Sequence, residues 1–139
     1  MPLIDFIPMN GIAEDYLESE TNVLRLEIKD LVHRVWGVLL KDVIVTAFEC
    51  TTLNTDPDGA DVVASVRTNP NEDIEVKADE LRDKLFELWH THWDKSPFKE
   101  HEGYISLDLW LQFIPGSWGL AMTADGPLTD FVDHVVKAQ

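Results

Sequence analysis

The sequence predicts an α+β domain: four main strands in one sheet, with two helices packed on one face of it. Two observations carry this. Segments of strand length at residues 3–7, 43–48, 62–68 and 104–113 are β-branched or alternate apolar with polar, and two stretches between them place apolar residues at helical spacing. Their order is strand-helix-strand, then strand-helix-strand again. Parallel neighbours in a sheet need a crossover of a dozen or more residues, usually a helix, so each half reads as a β-α-β unit whose two strands lie side by side. The halves repeat in pattern and not in residue identity.

Leu3-Ile4-Asp5-Phe6-Ile7 is the first strand. Met9 to Glu20 is polar and reads as turn-like, after which Leu24, Ile28, Leu31, Val35, Val38 and Leu39 mark a long amphipathic helix. Beyond Lys41-Asp42, the β-branched run Val43-Ile44-Val45-Thr46-Ala47-Phe48 is the second strand. Asn54-Thr55-Asp56-Pro57-Asp58-Gly59 is dense in turn formers and reads as a hairpin turn into a third strand, Val62 to Thr68, which Asn69-Pro70-Asn71 ends. Glu72 and Asp73 suit the first turn of a second helix, where carboxylates complement the helix dipole. Ile74, Ala78, Leu81, Leu85 and Leu88 form its buried stripe, and it should end near Trp93. Asp94 to Gly103 is a charged connection. In the last strand, Tyr104 to Phe113, the residues Ile105, Leu107, Leu109, Leu111 and Phe113 share one face, while Tyr104, Ser106, Asp108, Trp110 and Gln112 share the other. A tryptophan on that mixed face points to a second cover, such as another subunit. A tail follows from about Ile114, and no linker separates it, so residues 1–139 are expected to form a single domain.

With 139 residues, 45% of them hydrophobic, the chain can bury one core of useful size. There is no apolar run of 18 residues and no basic flank with a cleavage site, so a soluble, intracellular and cytoplasmic protein is expected. The net charge of −15, from 26 acidic and 11 basic residues, argues against nucleic-acid phosphates and anionic membranes as partners. It leaves room for an acidic interaction protein or DNA mimic. Cys50 is the only cysteine, so no intrachain disulfide can form.

The chemistry-bearing candidates are few. Removing Met1 from Met1-Pro2 would leave a free secondary amine at the head of a strand. α-Amino groups titrate near ~8 in water, and an apolar pocket lowers that value by disfavouring the cation. The result would be an acid-base catalyst poised near neutral pH. His90 and His92 stand roughly 200° apart around a helix, so they cannot chelate one metal from one face. Asp56-Pro57-Asp58-Gly59 resembles a calcium loop only in part: with Asn54 as first ligand, the twelfth position is Ser65 rather than a carboxylate. Phosphate-binding glycine loops and a nucleophile elbow are missing. Neither a metal nor a cofactor is expected.

Two β-α-β units with the first strand opening at Met1-Pro2 resemble the tautomerase superfamily in its longer-chain form, the group of macrophage migration inhibitory factor and malonate semialdehyde decarboxylase. The resemblance covers most of the chain. Trp36-Gly37-Val38-Leu39-Leu40-Lys41-Asp42 is similar to the decarboxylase-like stretch of Phe-Gly-Val leading to an aspartate, and Ser117-Trp118-Gly119-Leu120 is similar to a Trp-centred segment after that branch's last strand. The resemblance implies a homotrimer with active sites near subunit boundaries and a small-molecule substrate. Pro2 would be the acid-base residue, and Asp42 would match the aspartate that positions or activates water. Lys41 would match a pocket lysine, Ser106 a pocket-lining polar residue on the last strand, and Trp118 and Leu120 the apolar pocket wall. The decarboxylase-like branch also places two arginines after the third strand, where this chain has Thr68-Asn69-Pro70-Asn71. A guanidinium binds a carboxylate with two hydrogen bonds, so decarboxylase and hydratase activities are disfavoured. Arg67, one step away on the face of Ser65, is the remaining candidate clamp.

The leading expectation is a cofactor-independent tautomerase or isomerase acting on an enol or α-keto acid. Its rivals are a catalytically inactive acidic interaction protein of the same fold and a ferredoxin-like β-α-β-β-α-β binding domain.

Overall fold

The computed structural model describes residues 2–51, 56–100 and 105–115. Strand β1 (Leu3–Pro8) leads into helix α1 (Gly11–Trp36), a 3-10 turn at Leu40–Asp42 and strand β2 (Ile44–Ala47). Strand β3 (Val62–Thr68) leads through a one-turn helix α2 (Glu72–Glu75), helix α3 (Ala78–Lys95) and a 3-10 turn at Pro97–Glu100 to strand β4 (Leu107–Phe113). The expected α+β class and its single four-stranded sheet are what the chain forms.

The sheet order is β2-β1-β3-β4. β1 runs parallel to β2 and β3 parallel to β4, so each long helix joins neighbouring strands, while β1 and β3 meet antiparallel at the centre. This arrangement overturns the ferredoxin-like alternative, whose split β-α-β units leave a strand between the two that each helix joins. It also corrects the hairpin. The turn at Asp56–Gly59 exists, with the Gly59 amide donating to the Asp56 carbonyl at 2.9 Å, but β1 lies between the two strands that it was expected to pair.

Helix α1 begins at Gly11, so the last ten residues of the stretch that reads as turn-like are helical. Asn10 caps it, accepting from the Ala13 amide at 2.9 Å, and Ala13, Tyr16 and Leu17 bury the first turns against the core. Polar composition misled here because those turns bury only a narrow stripe. The second predicted helix is broken in two: Asn71 caps α2, accepting from the Asp73 amide at 2.9 Å, and α3 restarts at Ala78.

Alternation along the strands puts Ile4, Phe6, Val62, Ala64 and Val66 under the helices, with Val45, Ala47, Leu107, Leu109, Leu111 and Phe113 packed around them. Helix α1 packs over β1 and β2, α3 over β4, and the helices on each other. Trp89 anchors this layer. Its ring stacks on Phe6 at 5.8 Å and meets Tyr16 edge-on at 5.4 Å, and its indole N–H donates to the Ile105 carbonyl at 3.1 Å. His92 of α3, nearly buried, sets Nε2 3.0 Å from Glu20 and Nδ1 3.5 Å from Glu27, both on α1. His92 therefore ties α3 to α1 at the edge of the core. The other sheet face carries Leu3, Asp5, Ile7, Ile44, Thr46, Val63, Ser65, Arg67, Asp108, Trp110 and Gln112. No described element packs on it, and Trp110 is 56% exposed.

Candidate active site at the proline end of the sheet

Pro2 is fully buried at the head of β1, and its carbonyl accepts from the Ile44 amide at 3.0 Å. Leu3 pairs with Ile44 on one side and Arg67 on the other. Continued by one residue, this register sets Pro2 between Val43 and Thr68. With period 2, Pro2 shares the helix-covered face with Ile4 and Phe6. Val43 is fully buried, and Thr68 is one of the few polar residues in the buried layer.

The return of α1 brings further groups to this end. β1 runs away from Pro2, and α1, roughly 39 Å long at about 1.5 Å per residue, carries the chain back. It stops at Gly37, whose φ of 71° lies in the left-handed region and whose amide donates to the His33 carbonyl at 2.8 Å. The 3-10 turn that follows delivers Lys41, exposed, and Asp42, half-buried, to the head of β2. The Asp42 amide donates to the Leu39 carbonyl at 2.9 Å. Trp36, the last residue of α1, packs on Phe113 with ring centroids 6.1 Å apart, and Phe113 pairs with Thr68. Pro2, Lys41, Asp42, Trp36, Thr68 and Phe113 therefore gather at one end of the sheet.

Two other candidates are placed differently. Arg67 lies at the same end but on the open face, where it forms an ion pair with Asp5. Ser106 is at the far end of the sheet. Its amide and hydroxyl donate to one carboxylate oxygen of Asp61 at 2.9 and 3.1 Å, and its hydroxyl accepts from the Asp61 amide at 3.0 Å. Asn10 donates to the other Asp61 oxygen at 2.8 Å, so this cluster ties the entry of α1 to the starts of β3 and β4. Within one subunit Ser106 is a structural residue of that junction. Trp118 and Leu120 lie outside the described residues. Among the described residues no cluster of three or more His, Cys, Asp or Glu side chains is placed to hold a metal ion.

Sequence reasoning did not bring Trp36, Thr68 and Phe113 together at the proline end of the sheet. Trp36 stood in view inside the Trp-Gly-Val stretch, and an aromatic residue at the last turn before a helix-ending glycine was the available signal. For Thr68 and Phe113 the signal is the strand register, which only pairing reveals.

No family model and no curated protein sequence matches the chain. Solved structures do match it. Malonate semialdehyde decarboxylase superposes with a TM-score of 0.55 at 15% identity, covering 95% of this chain and 98% of its own. A fused 4-OT described as a symmetric trimer gives 0.57 at 18% identity, covering 90% and 94%. A macrophage migration inhibitory factor-like protein from Entamoeba histolytica gives 0.55 at 12% identity, covering 86% and 93%. This chain has the tautomerase-superfamily fold. The shared fold accounts for the sheet order, and at these identities the likeness is one of fold alone.

Proposed function

We propose that the chain is a cofactor-independent tautomerase or isomerase in which Pro2, released by removal of Met1, acts as general acid-base on an enol or α-keto acid. The observation that carries this is the burial of Pro2 at the end of the sheet where Lys41 and Asp42 also lie, in a tautomerase fold. The amine would take the proton of an enol hydroxyl. The O–H electron pair becomes the carbonyl π bond, the C=C pair takes a proton at the adjacent carbon, and the ammonium supplies that proton. Atoms and electrons balance with no co-reactant. At such a buried position desolvation would disfavour the cation of the freed amine. Lys41 would draw an anionic substrate to the mouth, and Asp42 would position a water or hydroxyl beside the amine.

The active form in this proposal is a cytoplasmic homotrimer whose open sheet faces cover one another. Arg67 and Ser106 would then serve a neighbouring subunit's site, with Trp118 and Leu120 as its apolar wall. The turn Thr68-Asn69-Pro70-Asn71 carries no arginine, which favours proton transfer over decarboxylation or hydration. Intact-mass measurement establishes whether residue 1 or residue 2 begins the mature chain. Ketonisation of phenylpyruvate by wild type and Pro2→Ala then tests the reaction, and equal rates in both would overturn it. The second reading, an inactive acidic interaction protein of the same fold, draws on the net charge of −15 and the missing arginines. It predicts no turnover from an intact oligomer.

A further inference from the structure

We propose that the indole N–H of Trp36 is a hydrogen-bond donor of the proline site and receives an oxygen of a 2-oxo acid or its enol. The proposal rests on the Pro2 reading. Trp36 is 8% exposed, and its Nε1 is buried with no hydrogen-bond partner among the described residues. An unpaired buried donor is uncommon and calls for an explanation, a missing ligand being one. The chain pairs a buried indole where packing alone is needed, as Trp89 shows with the Ile105 carbonyl.

Placement supplies the second argument. Trp36 ends α1 at the proline end of the sheet, and its ring rests on Phe113, which pairs with Thr68, itself beside Pro2 by register. Pro2 and the Trp36-Phe113 pair share the helix-covered face. The chemistry fits a sheet face from which the subunit's own Arg67 is turned away. A neutral N–H has no charge to desolvate, and it bonds most strongly to an acceptor carrying negative charge, whether a carboxylate or the oxygen of a developing enolate. The two aromatic faces would pack against an apolar substituent on that acid.

The test is titration of tryptophan-labelled wild-type protein with phenylpyruvate, followed in proton-nitrogen correlation spectra of the indole groups. The Trp36 signal is assigned by nuclear Overhauser contacts to Phe113 and checked by its loss in Trp36→Phe. A saturable downfield shift of the Trp36 signal, with the Trp89 signal unmoved, is expected. In kinetics Trp36→Phe should raise KM by about 10-fold with a smaller change in kcat, the effect of losing one neutral hydrogen bond. Pro2→Ala should keep the spectral shift and lose turnover. A Trp36 signal that stays fixed at concentrations saturating the Pro2-dependent reaction would overturn the proposal, as would a wild-type KM in Trp36→Phe. If wild type shows no turnover, the Pro2 reading fails by itself. The titration still decides the donor: a shift supports it and a fixed signal overturns it.

Discussion

Pro2 and Asp61 divide the residue scale between chemistry and architecture. In the proposed mechanism Pro2→Ala replaces the secondary amine by a primary one, at a buried position whose backbone contact, the carbonyl bond to Ile44, any residue can make. Activity on phenylpyruvate should therefore fall by about 100-fold or more, the usual range for losing a general acid-base, while circular dichroism remains that of wild type. Asp61 receives the Asn10 amide group and both donors of Ser106. Asp61→Ala strands these donors at a junction of three elements and should lower stability by about 1–3 kcal/mol in urea unfolding, with KM unaffected. Ser106, which the resemblance sets among pocket-lining residues, bonds to Asp61 within its own subunit, and a role at a neighbouring subunit's site belongs to the proposed trimer. A hydroxyl's partner 45 residues away in the chain cannot be read from either segment alone.

Element ends gave both the clearest and the poorest signals. Gly37 closes α1 at a φ of 71°, and a Cβ there would meet no atom within 4 Å, so Gly37→Ala isolates backbone strain. It should cost about 1–2 kcal/mol. Gly11→Ala, at the first position of the same helix and equally free of contacts, should instead stabilise by about 0.4–1 kcal/mol by restricting the unfolded chain. Paired thermal melts of the two variants, moving in opposite directions, check both. The periodic residues from Leu24 to Val35 were legible because about three turns of an amphipathic stripe leave a strong pattern. Residues 11–20 were not, since only Ala13, Tyr16 and Leu17 face the core among carboxylates and solvated polar groups. Asn10 was the signal available there, a residue suited to capping before a short apolar spacing.

The open sheet face governs the behaviour of the whole molecule. Ile44 and Ile7, at 38% and 39% exposure, surround it with Trp110 at 56%, a mixed surface that suits burial against further copies. Trp110→Lys should bury an unpaired charge in the proposed trimer interface and shift it to monomer in sedimentation velocity, with loss of turnover if sites form at subunit boundaries; an unchanged trimer would remove this face from the interface. Among the described residues no helix is long and apolar enough to cross a membrane. Taken alone, the sequence determined the α+β class, the two β-α-β units, the buried face of β4 and the proline at the head of β1, because period, propensity and element order are written locally. Only the tertiary structure decided that β1 separates β2 from β3, that Arg67 turns away from Pro2 to pair with Asp5, and that Trp36 arrives at the proline end with its N–H unpaired among the described residues. These depend on which strands pair and in what register, and pairing is settled by the joint burial of side chains far apart in the chain.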